Sequence, residues 1–440
     1  MMTDVVIVGA GLAGLSAARY LSSRNVTCLV IEARTRVGGR TLSQKAPDEC
    51  EFTIDLGGQW IGPTQKRVLS LVEEFGLPLI EQTWHSSYPE DLGQAVGLIR
   101  LTHEQEQTVI DVYDIWDKMA EELTNLEQVW LNEKAKEWAE MSVASYIDDP
   151  TLGFDERLRL ELKLQVLTMT ACNPERLSLL HWLLTLRSIP GGSSSLDDGN
   201  KGAQHFKIAA GSQQLSILLA EKQDIRLGDG LVSVDYSSPS EIVLTLLSGN
   251  KLTCRRLLLA FSPTLLSRVS FMPPLSSDWH CHMTMGQCIK TVFIYSTPFW
   301  RGIETNQTEQ QGPCSNIFDL AQPTALIGLI LGDQASLWCD REENELVEAI
   351  IKQYNTLYRT DHQPIHTFIK YWQKEEWSGG CYAGVYPPGS ISRWENKRKT
   401  FVDGRIWLAS TETASEWVGY MEGAIEAGES TAKYILNMLQ

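Results

Sequence analysis

The chain opens on two short apolar runs, residues 4–8 and 26–31, with a small, alanine-rich stretch at 15–21 between them. Uninterrupted apolar runs of this length suit strands buried on both faces, and the small residues suit a helix lying close against them. Further strands are predicted at 52–56, 230–236, 241–248, 251–260, 285–295, 325–331, 366–371 and 405–409. Alternation is clearest at 241–248, where Ile242, Leu244 and Leu246 share one face. Helices are predicted over 66–80, closing at Gly76 and Pro78, over 155–170, 177–187 and 342–358, and in the last segment. A longer one starts behind Thr102-His103-Glu104-Gln105, a capping-box pattern. Its apolar positions Val109, Val112, Trp116, Met119, Leu123, Leu126 and Trp130 fall three and four apart, the period of a helix face against a core. Residues 81–101 and the glycine- and serine-rich 190–202 are irregular. The pattern predicts a mixed α/β and α+β protein, a doubly wound sheet with a helical unit spliced into it.

At 440 residues the chain is long enough for two domains. A formal charge of −17 disfavours nucleic acid and anionic membrane as partners and mildly favours encounter with cationic small molecules. Nine cysteines are scattered without a C-x-x-C pair, so no metal site is expected. No basic region precedes the first apolar run, and no run approaches the roughly 18 apolar residues of a membrane span. A soluble, cytoplasmic protein without a membrane anchor is expected, and a homodimer is left open.

The chemistry concentrates at a few points. The first apolar run enters Gly9-Ala10-Gly11-Leu12-Ala13-Gly14, and the second ends in Glu32. Strand, G-x-G-x-x-G turn, helix, strand and acid make up the dinucleotide fingerprint. Gly9 permits the turn, Gly11 lets backbone approach a pyrophosphate, and Gly14 lets helix and strand close up. The helix N-terminus offers N–H groups to phosphates, and Glu32 can accept from ribose hydroxyls. After the strand at 52–56 comes a second glycine pair, Gly57-Gly58-Gln59-Trp60, again suited to close approach of a ligand. Lys290 interrupts an apolar strand, a position more often held by an edge charge or a snorkelling side chain.

Taken with Arg34 and Arg40 in E-A-R-x-R-x-G-G-R, Trp377-Ser378-Gly379-Gly380-Cys381-Tyr382, and Ser410-Thr411-Glu412-Thr413-Ala414 followed by Trp417 to Ala424, these runs resemble the flavin amine oxidase superfamily, closest to its monoamine oxidase branch. The resemblance extends from residue 4 to residue 439. It implies an FAD-binding Rossmann-like (GR2, p-hydroxybenzoate-hydroxylase-like) domain of residues 1–78, 205–277 and 376–440. Interleaved with it would be a substrate-binding domain of 79–204 and 278–375, a mixed sheet plus helices. Carried over residue by residue, FAD would be held by Gly9, Gly11, Ala13, Gly14, Glu32, Arg34, Arg40, Gly57, Gly58, Gln59, Trp60, Val232, Cys381, Ser410, Thr411, Glu412, Tyr420 and Met421. Cys381 matches a cysteine that carries the flavin as a thioether in monoamine oxidases, although relatives bind FAD without the link. Tyr382 and Tyr420 would flank the amine as parallel walls. Lys290 would hold a water against the flavin. Gln204 would face the flavin from a gating loop that includes Leu196, and Trp372 would complete the catalytic set. Ser410 departs from the family's glycine, which predicts strain or a shifted loop if that backbone needs a positive φ.

The function implied is oxidative deamination of a small monoamine. Flavin would be reoxidised by dioxygen, giving hydrogen peroxide, aldehyde and ammonia. A polyamine or diamine oxidase and an L-amino-acid oxidase are alternatives within enzymes. The chain lacks the Met-Arg usual in amino-acid oxidases, and Gly62 stands where polyamine oxidases carry histidine. A diamine oxidase would need a carboxylate in the cavity. A flavin-fold binding protein without turnover is the alternative of another class; Lys290, Tyr382 and Tyr420 together argue against it.

Overall fold

A computed structural model describes residues 3–47, 52–82, 101–124, 129–196, 202–275, 282–301, 312–320, 324–391 and 404–439. Its largest sheet has eight strands. Thr3–Val8 lies at the centre, parallel to Cys28–Glu32 on one side and to Lys251–Leu259 on the other. Ile225–Leu227 extends the first side in parallel, and Ile406–Leu408 also joins Lys251–Leu259 in parallel. Ile242–Leu246 and Leu231–Asp235 continue the other side antiparallel. The fold is the mixed α/β architecture the pattern predicts. Val5 and Ile7 pack one face of the central strand against the helices Leu12–Ser22 and Met421–Asn437, while Val6 and Val8 pack the other face. Burial on both faces is why this strand reads as unbroken apolar sequence.

A second, four-stranded sheet runs in the order Asn316–Leu320, Ala325–Leu331, Cys288–Ile294, His366–Tyr371, antiparallel throughout. Cys288–Ile294 is an inner strand, so Lys290 is no edge charge: it is 4% exposed. The two-residue period sends Ile289 and Phe293 toward the helix Glu343–Tyr358. Cys288, Val292 and Ile294 face the opposite way, toward a cluster containing Trp372 and Cys381, and Lys290 shares their parity.

In sequence the helical unit is inserted into the first sheet, between Cys28–Glu32 and Ile225–Leu227. His103–Glu121 begins at Thr102, whose side chain and Gln105 complete the expected capping box. Val109, Val112 and Trp116 are buried as the stripe requires. The helix ends at Glu121, so Leu123 and Trp130 lie beyond it, and Leu126 falls outside the described residues. Glu156–Thr170 and Leu179–Arg187 form where predicted. Two helices, Glu133–Glu140 and Val143–Ile147, were not expected. The helix predicted at 66–80 spans Lys66–Glu74. Gly76, at φ +62°, turns the chain, and the N–H groups of Gly76 and Leu77 reach back to Glu73 and Val72. Leu79–Glu81 then continues as a strand paired with Phe206–Ile208. Among the described residues, no helix is long and apolar enough to cross a membrane.

Candidate active site

The site grows from the first turn. Gly9 sits at φ +111°, and a Cβ there would lie 2.5 Å from the Ala260 carbonyl oxygen. Only glycine meets both conditions. A Cβ on Gly14 would fall 1.9 Å from the Gly9 oxygen, so Gly14 brings helix against strand and does not reach the cavity wall. Gly11 and Gly39 face each other with space between them: a Cβ on Gly11 would meet only Gly39 Cα, at 4.0 Å. Glu32 accepts from the Ala10 N–H at 2.8 Å and the Arg34 N–H at 2.9 Å, which fixes its carboxylate beneath the turn.

One cavity of about 1170 Å³ starts at this turn and runs into the helical unit. Its wall includes Gly9, Gly11, Ala13, Glu32, Arg34, Arg40, Gly57, Gly58, Gln59, Trp60, Cys381, Ser410, Thr411 and Met421. Lys290, Gln204, Trp372, Tyr382 and Tyr420 contribute to the same wall. Three expected residues do not. Beside Gly14 these are Val232 and Glu412. Strand alternation turns Val232 outward, 37% exposed, and puts Leu231 on the wall instead. Glu412 lies behind the wall, where it clamps Arg40 through two hydrogen bonds of 2.7 and 3.0 Å and accepts from the Gly384 N–H. Burial alone would raise the Glu412 carboxyl, but Arg40 outweighs it and holds the pKa at about 2. Ser410 sits at φ −151°, an extended backbone open to any residue, so its replacement of glycine brings no strain.

Lys290 Nζ donates to the Gly57 carbonyl at 3.0 Å and to Gln59 Oε1 at 2.9 Å. It lies 5.3 Å from the Trp60 ring centroid. Desolvation lowers its pKa from 10.5 to about 8, against the pull of Asp55. Trp372 is held by its indole N–H on the Leu56 carbonyl, at 2.8 Å. Burial pushes the Cys381 thiol up to about 12, opposed by Arg40 and Lys290. The next residue, Tyr382, has its hydroxyl raised well above the ordinary range, first by burial and also by Cys288, Cys381 and Tyr420. Tyr420 caps the helix Met421–Asn437 and packs edge-on against Trp417, with ring centroids 4.9 Å apart.

Two buried amide atoms on the wall, Gln59 Nε2 and Gln204 Oε1, have no hydrogen-bond partner. Orphaned polar atoms on a cavity that also holds the facing glycine backbones fit a large polar ligand of the FAD type. The glycine- and serine-rich loop expected to gate the cavity bonds Asp117 through the Ser193 N–H and hydroxyl, and Leu196 reaches the wall. Sequence reasoning missed the far end of the cavity. Glu161, Gln165 and Thr168 of Glu156–Thr170 line it, with Asn316. Their spacing of four and three on one helix face is a readable signal, but it is the pattern of a solvated face as much as of a cavity.

The sequence pattern of the family described as flavin containing amine oxidoreductase matches residues 12–436. Flavin-containing amine oxidase A of Canis lupus familiaris is 32% identical, covering 100% of this chain and 86% of that protein. Flavin-containing amine oxidase B of Homo sapiens is 30% identical, covering 99% and 86%. Among solved structures, wild-type putrescine oxidase bound to putrescine superposes with a TM-score of 0.86 at 25% identity, covering 99% of each chain. Cyclohexylamine oxidase from Brevibacterium oxydans shares the fold, with a TM-score of 0.84 at 23% identity over 100% of each chain. The chain belongs to the flavin-containing amine oxidases, enzymes whose cofactor is FAD.

Proposed function

We propose that this enzyme oxidises a small primary amine to its imine, with dioxygen as the final acceptor leaving as hydrogen peroxide, and that water hydrolyses the imine to an aldehyde and ammonia. FAD, when bound, accepts the two electrons lost from the amine's α-carbon and nitrogen. The residues supply the setting. Gly11 and Gly39, beside the turn that Gly9 permits, leave room for a pyrophosphate, Glu32 offers acceptors to a ribose, and Arg40, steadied by Glu412, offers positive charge. Tyr382 and Tyr420 wall the slot in which the amine nitrogen lies. An ammonium has no lone pair to release as its α-hydrogen departs, so a buried aromatic slot that favours the neutral amine promotes oxidation. Lys290 places a buried cationic donor on the same wall, suited to holding a water and to assisting the reaction with dioxygen.

The observation that carries this reading is the joint opening of the glycine cradle, Lys290 and both tyrosines onto one cavity.

Purified protein mixed anaerobically with benzylamine, phenylethylamine, putrescine and L-amino acids tests the reading. Flavin bleaching by amines, and peroxide release on admitting air, is the expected result. An unbleached flavin across a broad amine panel would establish a non-catalytic binding protein instead.

A further inference from the structure

We propose that Glu161 receives a second cationic group of the substrate, so that the preferred amine is an extended diamine or an amine with a distal ammonium. This rests on the amine-oxidase reading above. Glu161 belongs to the cavity wall and is 3% exposed. Its Oε1 accepts from Gln165 Nε2 at 2.8 Å. Its Oε2 is buried with no hydrogen-bond partner. A buried carboxylate with one orphaned oxygen is costly unless a donor or a positive charge reaches it. Burial accordingly raises its pKa, and the Gln165 bond offsets part of that rise. A distal ammonium would satisfy both the charge and the lone pairs.

The surroundings favour a cation. Glu106 and Asp114, both exposed, line the wall from the helix His103–Glu121. His181 is the one basic side chain that His103–Glu121, Glu156–Thr170 and Leu179–Arg187 contribute to the wall among the described residues. Gln165 and Thr168 follow Glu161 along the same helix face, and the Thr168 hydroxyl bonds Asn316 Oδ1 at 3.0 Å. This polar track leads from Glu161 toward the tyrosines. The track's other end is located by Gly286: a Cβ there would lie 2.8 Å from the Thr170 carbonyl oxygen and 3.1 Å from the Tyr382 nitrogen. Glu161 therefore stands about 13 Å along the helix axis from the residue beside Tyr382, at the rise of an α-helix. That offset is between backbone positions, and a hexyl or octyl α,ω-diamine bridges it together with the Glu161 side chain and a hydrogen bond to its carboxylate.

The test compares kcat/KM for paired substrates of equal chain length: hexylamine against 1,6-diaminohexane, and octylamine against 1,8-diaminooctane. The wild-type enzyme is expected to favour the diamine at least tenfold. In Glu161→Gln that diamine-to-monoamine ratio should fall at least tenfold, chiefly through KM, and Glu161→Asp should retain part of it. Flavin content and the visible spectrum report folding, and a melting-temperature rise with 1,8-diaminooctane, lost in Glu161→Gln, reports binding without turnover. Monoamines oxidised as well as diamines, or a ratio untouched by the substitution, would overturn the role of Glu161 while leaving the amine-oxidase reading standing. If no amine of either kind bleaches the flavin, both readings fall together.

Discussion

At the scale of single residues, Lys290 shows how placement remakes a side chain. By sequence alone a lysine in an apolar strand is an edge or snorkelling charge. On an inner strand, with its ammonium bound to Gly57 and Gln59, it is a buried cation whose pKa has dropped to about 8 through desolvation. It is charged below that pH and neutral above it. If its role is to present positive charge where dioxygen reacts, the reoxidation rate of the reduced enzyme falls as pH rises through about 8. Stopped-flow mixing of pre-reduced enzyme with dioxygen isolates that half-reaction from amine ionisation. Lys290→Met is expected to slow reoxidation on the order of tenfold or more and to flatten the pH profile, while amine-driven reduction changes less. Equal losses in both half-reactions would assign Lys290 to packing of the wall.

Within elements, legibility followed how local each requirement is. The turn at Gly9 could be read because its backbone conformation is written into adjacent residues. The capping box at Thr102 could be read for the same reason. Val232 could not be placed, because one step of strand parity decides which face a side chain takes. Glu161 was missed because a polar stripe on a helix looks alike whether it meets solvent or a cavity; only the packing of Glu156–Thr170 beside His103–Glu121 and Val143–Ile147 distinguishes them. Glu412 was assigned to the cofactor, whereas the short turn Thr411–Thr413 aims it at Arg40. This pair joins the turn, the loop after Cys28–Glu32 and the Gly384 N–H into one unit. Removing one partner of a buried ion pair leaves the other uncompensated, so Glu412→Gln is expected to cost about 3 kcal/mol at neutral pH. Since the folded Glu412 pKa lies at about 2, below the ordinary 4.5, its stabilisation is fully present above pH 4.5 and is lost as pH falls through about 2. Melting temperatures of wild type and variant should therefore differ most at neutral pH and converge in acid. A gap that persists unchanged at low pH would attribute the loss to altered packing.

For the molecule as a whole, charge and cavity point to the same kind of ligand. The chain carries −17. The exposed carboxylates Glu106 and Asp114 bring that sign onto the cavity wall, and Glu161 carries the acidic groups further in. A field of one sign over a concave wall raises the local concentration of oppositely charged molecules. On the proposed mechanism, amines arrive at neutral pH as cations and would lose their proton only between Tyr382 and Tyr420, so attraction and chemistry would act on different protonation states. Salt separates the two. At about 0.1 M ionic strength the screening length is about 10 Å, short enough to weaken long-range attraction while sparing the buried contact at Glu161. The apparent second-order rate of anaerobic flavin reduction, measured at low amine concentration, should fall several-fold between low and physiological salt, and fall more steeply for a diamine than for a monoamine. If Tyr382 and Tyr420 flank the amine as proposed, the limiting rate at saturating amine should hold, because the chemical step then draws on short-range contacts that salt screens little. A diamine preference that survives high salt while the on-rate declines would divide the labour cleanly: the acidic exterior gathers cations, and Glu161 selects among them.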